Sequence, residues 1–373
     1  MNRWHLVHDG PRLCVDLDAL AHNWRIVRGA CPGAGLGAVL KHDAYGLGMA
    51  AVAQRLWQLG CRDFWVATMD EALALRQLLP AGQGRILLLH GMGGLPARDF
   101  AAHGITPVLA GAHELPALAG HAASHGRPLP VALHLDTGLT RLGFGAHELH
   151  ALRPGSSLWT DARPDMWVSH LGRFHDPGLP QCLRQRERFL QWTAQLPRAE
   201  RSMAASSGAF AGPHWHFEHV RAGSALFGVP AGVHGAAALR PVASLHAPVL
   251  RVAEVAAGTE IGYGGSYRTE RPGRIATIGL GYGDGLPAGL VNRGSLHLAG
   301  RVAPIVGGVA MGMVALDVSG YAPHEIRPGM WAEVYGLRQP LPALAQAAGV
   351  AANVVLALTA RLARQRSLEA LQP

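Results

Sequence analysis

Lysine is nearly absent from this chain of 373 residues. Of its 33 Lys and Arg residues only one, Lys41, is a lysine, so arginine carries almost all of the positive charge. Arginine can replace lysine as a surface cation, but its guanidinium stays protonated and cannot act as an amine nucleophile. Lys41 is therefore either a surface residue left by chance or an amine that the chemistry of the protein requires.

Cysteine and long apolar segments are scarce as well. Four cysteines, Cys14, Cys31, Cys61 and Cys182, lie far apart without a CxxC pair, so we expect free thiols and no disulfide frame or zinc site. The one dense histidine group, HWHFEH at 214–219, is interpreted as a surface loop with adventitious metal affinity, and no metal is predicted. The chain shows neither the apolar run of a signal peptide nor a membrane span, which predicts a cytoplasmic protein.

The composition describes a compact globular protein. Hydrophobic residues make up 49%, charged residues 16% and aromatic residues only 6%. The formal charge is +8, but the arginines are dispersed and no basic stripe with interleaved aromatics occurs. Nucleic-acid binding is therefore not predicted, whereas an anionic small molecule is compatible with the charge.

Lys41 stands at the centre of the stretch AVLKHDAYGLG, residues 38–48. A Gly-rich turn precedes it, AVL indicates a short buried strand, and DAYGLG is a loop before the helical run MAAVAQRLWQLG. A lysine at the end of a buried strand projects into the cavity above the sheet.

From residue 12 to about 229, short apolar runs alternate with helical segments. Eight strands are predicted, in LCVDL, GAVLK, FWVATM, RILLLHG, GITPVLAG, LPVALHLDT, PDMWVSHL and the segment ending at Met203. Thr68 and Glu71 form a predicted capping box at the start of one of the helices. Alternating strands and helices imply parallel pairing, and about eight units predict an α/β fold with a (β/α)8 TIM barrel. A doubly wound open sheet is the alternative.

The sequence pattern changes after about residue 230, where short β-rich runs are separated by Gly and Pro. We therefore predict a barrel domain over 11–240 and a C-terminal mostly-β domain over 241–373, which residues 1–10 could join. In a barrel the catalytic face lies at the carboxyl ends of the strands. Lys41, residues 136–141, His170, Ser206 and Ser207, and residues 221–224 all follow predicted strands.

Eight segments resemble motifs of the alanine racemase family, in the same order and over essentially the whole chain. They are AVLKHDAYGLG, HLDTGLTRLGF, VSHL, the segment around ASSG, VRAGSALFG, EIGYGGSY, IGLGYGDGLP and GGVAMGM. The resemblance implies a pyridoxal 5'-phosphate (PLP)-dependent amino-acid racemase, with PLP at the C-terminal face of the barrel. Lys41 would hold PLP and act as one catalytic base, because burial favours the neutral amine.

The resemblance also assigns the other cofactor contacts. Tyr45 would reach the PLP phosphate, together with Ser206, Ser207 and the backbone around Gly223 and Ser224. Without the rest of the motif, Tyr45 would be interpreted as an aromatic that packs in a loop. Arg221 is similar to the family's partner of the pyridine nitrogen, and His170 would connect it with the second base. As an isolated residue, His170 would more often be a core histidine.

Substrate contacts come from the same resemblance. Tyr263 is similar to the base on the opposite face of Cα, which in the family belongs to the partner subunit, so a head-to-tail homodimer is implied. Arg141 would bind the substrate carboxylate through its fork of donors. By the same resemblance Met311 would lie near that carboxylate, and Tyr282 resembles an entrance tyrosine, although it also fits a β-domain core position.

The sequence departs from the family pattern at four places. Gly312 follows Met311 where an Asp is usual, and Gly308 stands where an Arg is usual. His134 occupies the position of a lysine that is carbamylated in some members, and Ser206 replaces an Asn. The two glycines predict a pocket that accepts alanine by default and also serine or a larger amino acid.

Three other readings stay open at the level of sequence. The same architecture serves PLP-dependent decarboxylases or aldolases, against which the Tyr263 motif argues. A PLP-binding homeostasis protein would lack the second domain. A homologue that binds PLP but has lost or altered its activity is the third.

Overall fold

The computed structural model describes residues 10–80, 82–173, 179–229 and 238–369, with side chains up to 360. Of residues 1–10, which could join the C-terminal domain, residues 1–9 lie outside this range. The chain forms two compact units. One comprises Asp18–Ala44 and Met49–Arg240, and the other Gly10 to Leu17, Tyr45–Gly48 and the described residues from Pro241 onward.

The first unit contains eight parallel strands in the order β8-β7-β6-β5-β4-β3-β2-β9. The sheet closes because Arg221 N donates to Ala204 O (3.0 Å) and Glu218 N donates to Arg201 O (3.2 Å), which joins β9 to β8. This confirms the TIM barrel and excludes the open sheet. The strands are β2 (Gly35–Val39), β3 (Asp63–Val66), β4 (Arg85–Leu88), β5 (Ile105–Leu109), β6 (Leu129–His134), β7 (Ala162–Val168), β8 (Glu200–Ser202) and β9 (His219–Ala222).

Apolar strand residues from neighbouring strands form one buried cluster of the barrel. It consists of Trp65, Leu87, Val108, Ala132, Met166 and Val168. A parallel sheet covered by helices buries both faces, which explains the nearly continuous apolar runs of these strands.

Helices connect the barrel strands. The α-helices are Leu17–Ala30, Met49–Gln58, Met69–Leu78, Ala97–His103, His121–His125, Leu158–Asp161, Pro180–Thr193 and Ser206–Phe210. The 3-10 helices are Ala112–Leu118, Ala146–Leu152, Pro213–Trp215 and Ser224–Phe227. The predicted capping box is confirmed, with Glu71 N donating to Thr68 Oγ1 at 3.4 Å.

The first strand of the chain is not a barrel strand, which corrects the prediction for LCVDL and for the barrel domain's start at residue 11. β1 (Arg12–Val15) pairs antiparallel with Ala243–His246 in the other unit. The eighth barrel strand is instead β9, which ends in the motif VRAG. A short apolar strand does not reveal its pairing partner, because the partner is chosen by tertiary contacts.

The second unit is an antiparallel β domain, in agreement with the predicted class. Its strands run in the order β1-β10-β13-β16-β15-β14-β17, and β17 pairs again with β10, which closes the sheet. After β1 they are β10 (Ala243–Val255), β13 (Gly273–Ile278), β14 (Ser295–Leu298), β15 (Arg301–Val306), β16 (Val314–Asp317) and β17 (Trp331–Tyr335). β11 (Glu260–Ile261) and β12 (Tyr267–Arg268) pair with each other in a separate two-stranded sheet. The helices are Tyr263–Gly265, Tyr282–Asp284, Ala288–Leu290, Leu341–Ala348 and Ala352–Glu369.

No single helix in the described part of the chain is long and apolar enough to cross a membrane. Leu341–Ala348 and Ala352–Ala360 meet the criteria of length and composition only as a pair, which is bent by 106°.

Candidate active site

Lys41 lies directly beyond the carboxyl end of β2. Leu40 N donates to Trp65 O (2.7 Å), which continues the β2–β3 pairing up to the lysine. Residues 42–45 then have φ angles between 54° and 60° and form one left-handed turn without a glycine. Left-handed helical backbone costs an L-residue about 1–2 kcal/mol, so the surrounding structure must hold this turn.

The half-buried amine of Lys41 lies in surroundings that disfavour its charge. Burial lowers the pKa of Lys41, the positive charge of Arg141 lowers it further, and the negative charge of Glu71 opposes both. A larger fraction of neutral amine at a given pH follows, which suits a nucleophile or a general base.

Arg221, on β9, is a buried cation whose guanidinium is fixed by neutral oxygens. Its Nη1 donates to the carbonyl (2.8 Å) and Oγ (2.6 Å) of Ser202, and its Nη2 donates to Ser169 O (2.6 Å). Burial lowers the pKa of Arg221, and Arg141 adds to the shift. Because an arginine nevertheless keeps its proton at ordinary pH, the site has a fixed donor at the end of the barrel.

Two neutral histidines lie beside these arginines. His170 Nδ1 is 3.5 Å from Arg221 Nη2, and since the guanidinium only donates, this nitrogen is the acceptor. Burial, Arg221 and Arg141 hold the pKa of His170 well below its ordinary value. The same causes lower the pKa of His134 to about 4, and His134 Nδ1 is buried without a hydrogen-bond partner in the described part of the chain.

The two serines after β8, Ser206 and Ser207, differ in their hydrogen bonding. Ser206 Oγ accepts hydrogen bonds from Gly223 N (2.9 Å) and Ala225 N (3.1 Å), so it joins the loops that follow β8 and β9. Ser207 is fully buried, and its Oγ has no hydrogen-bond partner within the described ranges. An unpaired buried hydroxyl is unfavourable unless a ligand satisfies it. Ser207 therefore offers a free polar atom, whereas the N–H of Gly223 is already donated.

The remaining predicted residues lie in the other unit. Tyr45 is half-buried, and burial raises the pKa of its hydroxyl to about 12. Tyr263 is 87% exposed and Met311 is 65% exposed. Tyr282 is also exposed, which contradicts its reading as a core residue.

Three loops of the β domain bring Tyr263, Tyr282 and Met311 to neighbouring positions. Tyr282 N donates to Ala310 O (2.9 Å), and Gly283 N donates to Met311 O (2.8 Å). A Cβ on Gly262 would lie 3.3 Å from Gly308 N, so the loop of Tyr263 touches the loop that leads to Met311.

The predicted histidine-rich group 214–219 is not assembled as a metal site. His216 Nε2 contacts Ala209 O (2.9 Å), whereas His219 Nε2 contacts Asp63 Oδ2 (3.0 Å). Within the described residues, no group of three or more His, Cys, Asp or Glu side chains could hold a metal ion.

Comparisons with known proteins identify the family of the chain. The sequence model of the alanine racemase N-terminal domain matches residues 15–231, and that of the C-terminal domain matches residues 242–366. The chain belongs to the alanine racemase family. It is 37% identical to the alanine racemase of Rhodospirillum rubrum, over 95% of each chain, and 36% identical to the catabolic alanine racemase of Agrobacterium fabrum, over 92% of this chain and 88% of that one.

Solved structures of alanine racemases share the fold. The enzyme from Bartonella henselae, solved with covalently bound pyridoxal phosphate, superposes with a TM-score of 0.89 at 31% identity, covering 94% of this chain and 97% of that one. The biosynthetic enzyme from Pseudomonas aeruginosa has a TM-score of 0.85 at 32% identity, with the same coverage.

The sequence motifs of this alanine racemase family member did not identify the residues that hold the predicted site residues in place. Ser169 and Ser202 fix Arg221, and both lie at the ends of predicted strands, so their position was a usable signal. Thr137 Oγ1 lies 2.8 Å from Ser169 Oγ and extends this network. Glu71 was predicted only as part of a helix cap. Its hydrogen bond from His42 N joins residues 29 positions apart, and no feature of the sequence predicts this contact.

Proposed function

We propose that the protein is a PLP-dependent amino-acid racemase that interconverts L- and D-amino acids by a two-base mechanism, with alanine as the default substrate. One observation carries the proposal: the only lysine of a chain in the alanine racemase family lies at the carboxyl end of a barrel strand, within electrostatic reach of Arg141 and His170. Its burial next to Arg141 favours the neutral amine that the reaction needs.

The residues present fit PLP. Ser207 Oγ is a buried hydroxyl without a hydrogen-bond partner in the described part of the chain, and a phosphate oxygen would satisfy it. The rest of the proposed phosphate site consists of Tyr45, Ser206, Gly223 and Ser224. Lys41 would bind the cofactor aldehyde, and Arg221 would donate to the pyridine nitrogen. Bound PLP supplies an electron-withdrawing ring that acidifies the Cα–H of the attached amino acid.

The roles of the barrel residues follow from their charges. Neutral Lys41 accepts the Cα proton at Nζ on one face of the substrate in one direction of the reaction, and protonated Lys41 donates a proton to that face in the reverse direction. Arg221 keeps its own proton, so it stabilises the ring nitrogen without protonating it. Neutral His170 accepts from Arg221 and holds its orientation. Arg141 binds the substrate carboxylate.

A second base is required because racemisation removes a proton from one face and returns one to the other. We assign this role to Tyr263 from a second copy of the chain, in a head-to-tail homodimer with two composite sites. The 87% exposure of Tyr263 and the 65% exposure of Met311 support this assignment, since large side chains left open on a surface mark an interaction site.

The pocket wall is proposed to admit serine or larger amino acids. A Cβ at Gly308 or Gly312 would meet no atom within 4 Å, so both positions leave open space where the family usually has Arg and Asp. Neither glycine requires a left-handed φ. A panel of amino acids assayed for loss of optical activity checks the range, and turnover of alanine alone would argue against the roomier pocket.

The racemase is tested by chiral chromatography of alanine in D2O. We expect both enantiomers to interconvert with deuterium incorporated at Cα and with no release of CO2 or aldehyde. Lys41→Ala and the charge-preserving Lys41→Arg should both lose activity and covalent PLP, because neither offers a primary amine. Borohydride reduction should tag the peptide with Lys41. Decarboxylation, or PLP bound without Cα exchange, would contradict the proposal.

A further inference from the structure

Glu71 connects the segment after Lys41 with the end of the neighbouring strand. One carboxylate oxygen, Oε1, accepts from His42 N at 2.5 Å. The other, Oε2, accepts from Ala67 N at 2.7 Å and from Thr68 N at 3.4 Å. β2 and β3 are adjacent in the barrel, so this carboxylate bridges two strand ends directly at the lysine.

The segment that Glu71 holds is strained. Residues 42–45 follow Lys41 in a left-handed turn, which L-residues adopt only at a cost. Glu71 fixes the first residue of the turn, and Asp43 Oδ1 accepts from Met49 N (2.7 Å) to fix its far side. A charged acceptor makes a stronger hydrogen bond than a neutral one, so Glu71 is suited to keep the turn in place.

Glu71 also acts on the charge of the Lys41 amine. Arg141, in the loop after β6, and His170, in the loop after β7, interact electrostatically with Lys41 as well. His170 is kept neutral, and Arg141 disfavours a second positive charge. Glu71, from the first turn of Met69–Leu78, is the group among those named that raises the pKa of Lys41 against the effects of burial and Arg141.

We propose that Glu71 is a positioning residue for Lys41, one that holds the left-handed turn and balances the charge around the amine. The inference deepens the proposed racemase, because a base that must both accept and return a proton needs both of its protonation states within reach. Without Glu71, the amine would lose the opposing charge of this carboxylate and the anchored backbone of the turn together.

The presence of a single lysine permits a direct test on the full-length chain. Reductive methylation with ¹³C-formaldehyde, after removal of PLP, labels only Lys41 and the α-amine, so the pH titration of one ¹³C-methyl signal reports Lys41. Glu71→Gln keeps the size of the side chain and removes its charge, and it should move the Lys41 midpoint to lower pH. Glu71→Ala should shift it likewise and also weaken PLP retention by about tenfold, through the lost hydrogen bonds.

Thr68→Ala is the matched control, because it removes the other half of the capping box and leaves the carboxylate. It should lower the stability of the helix and leave the Lys41 midpoint in place. An unchanged midpoint in Glu71→Gln, or an equal shift in Thr68→Ala, would overturn the inference. The titration requires neither bound PLP nor turnover. A protein without racemase activity in which Glu71 still shifts the Lys41 midpoint would therefore contradict the proposed racemase but not the role of Glu71.

Discussion

Burial in this barrel shifts the protonation equilibria of individual side chains away from their values in water. His134 is buried at the end of β6 beside Arg221 and Arg141, and its pKa falls from an ordinary value of 6.5 to about 4. Neutral His134 is therefore part of the folded state. Since the unfolded chain binds a proton below pH 6.5 and the folded chain does not, acid favours unfolding.

The pH dependence of stability tests this directly. The stability that neutral His134 contributes is complete above pH 6.5 and is lost as the pH falls from 6.5 to about 4. Replacing His134 by Asn should remove that sensitivity, so the variant should lose about 1–2 kcal/mol less than the natural chain between pH 7 and pH 5. Urea unfolding at both pH values measures the difference. His103→Asn, at an exposed helix end, is the control, and an equal effect there would refute the assignment.

Among the elements, the left-handed turn at 42–45 is the one whose sequence and backbone disagree. It carries His, Asp, Ala and Tyr in a conformation that favours glycine. Strain of this kind persists only where the surroundings determine it, and here it follows the residue with the proposed chemistry. The turn gives Lys41 a backbone direction that an ordinary βα loop would not.

Replacing the exposed His42, with φ of 54°, by glycine should relieve part of this strain. We expect His42→Gly to raise the free energy of unfolding by about 0.5–1 kcal/mol, because glycine adopts positive φ without a Cβ clash. His42→Ala removes the same ring but keeps the Cβ, so it should bring no such gain. Thermal unfolding of the three proteins compares them, and equal stabilities would mean that the turn is not strained at residue 42.

At the scale of the whole molecule, the proposed site combines residues from two copies of the chain. Lys41, Arg221 and His170 belong to the barrel unit, whereas Tyr263 lies exposed on the β domain. In the proposed homodimer, each copy supplies Tyr263 to the site of the other copy.

Mixing two inactive variants distinguishes composite sites from sites within one chain. If each site combines Lys41 of one copy with Tyr263 of the other, a heterodimer of Lys41→Ala and Tyr263→Phe has one intact site. Random exchange of subunits should then restore about one quarter of the natural activity, since half of the dimers are mixed and each has one working site of two. A mixture that stays as inactive as its components would place both bases in one chain.

Much of the fold follows from local pattern. Apolar runs that alternate with helices predict a parallel barrel because both faces of its strands are buried, and the Gly- and Pro-punctuated second half predicts a β domain. The position of Lys41 after a strand likewise predicted its place at the carboxyl end of the barrel. These features depend on residues close together in the chain, so the sequence by itself determined them.

Tertiary structure decided what depends on distant partners. Arg12–Val15 reads like any short strand, and only its pairing with Ala243–His246 assigns it to the β domain. The hydrogen-bonding difference between Ser206 and Ser207 depends on the N–H groups of Gly223 and Ala225, which both donate to Ser206 Oγ. The hydrogen bond from His42 N to Glu71 joins two strand ends that meet only when the barrel forms. Hydrogen bonds and charges act through space and not along the chain, so the sequence does not reveal this contact.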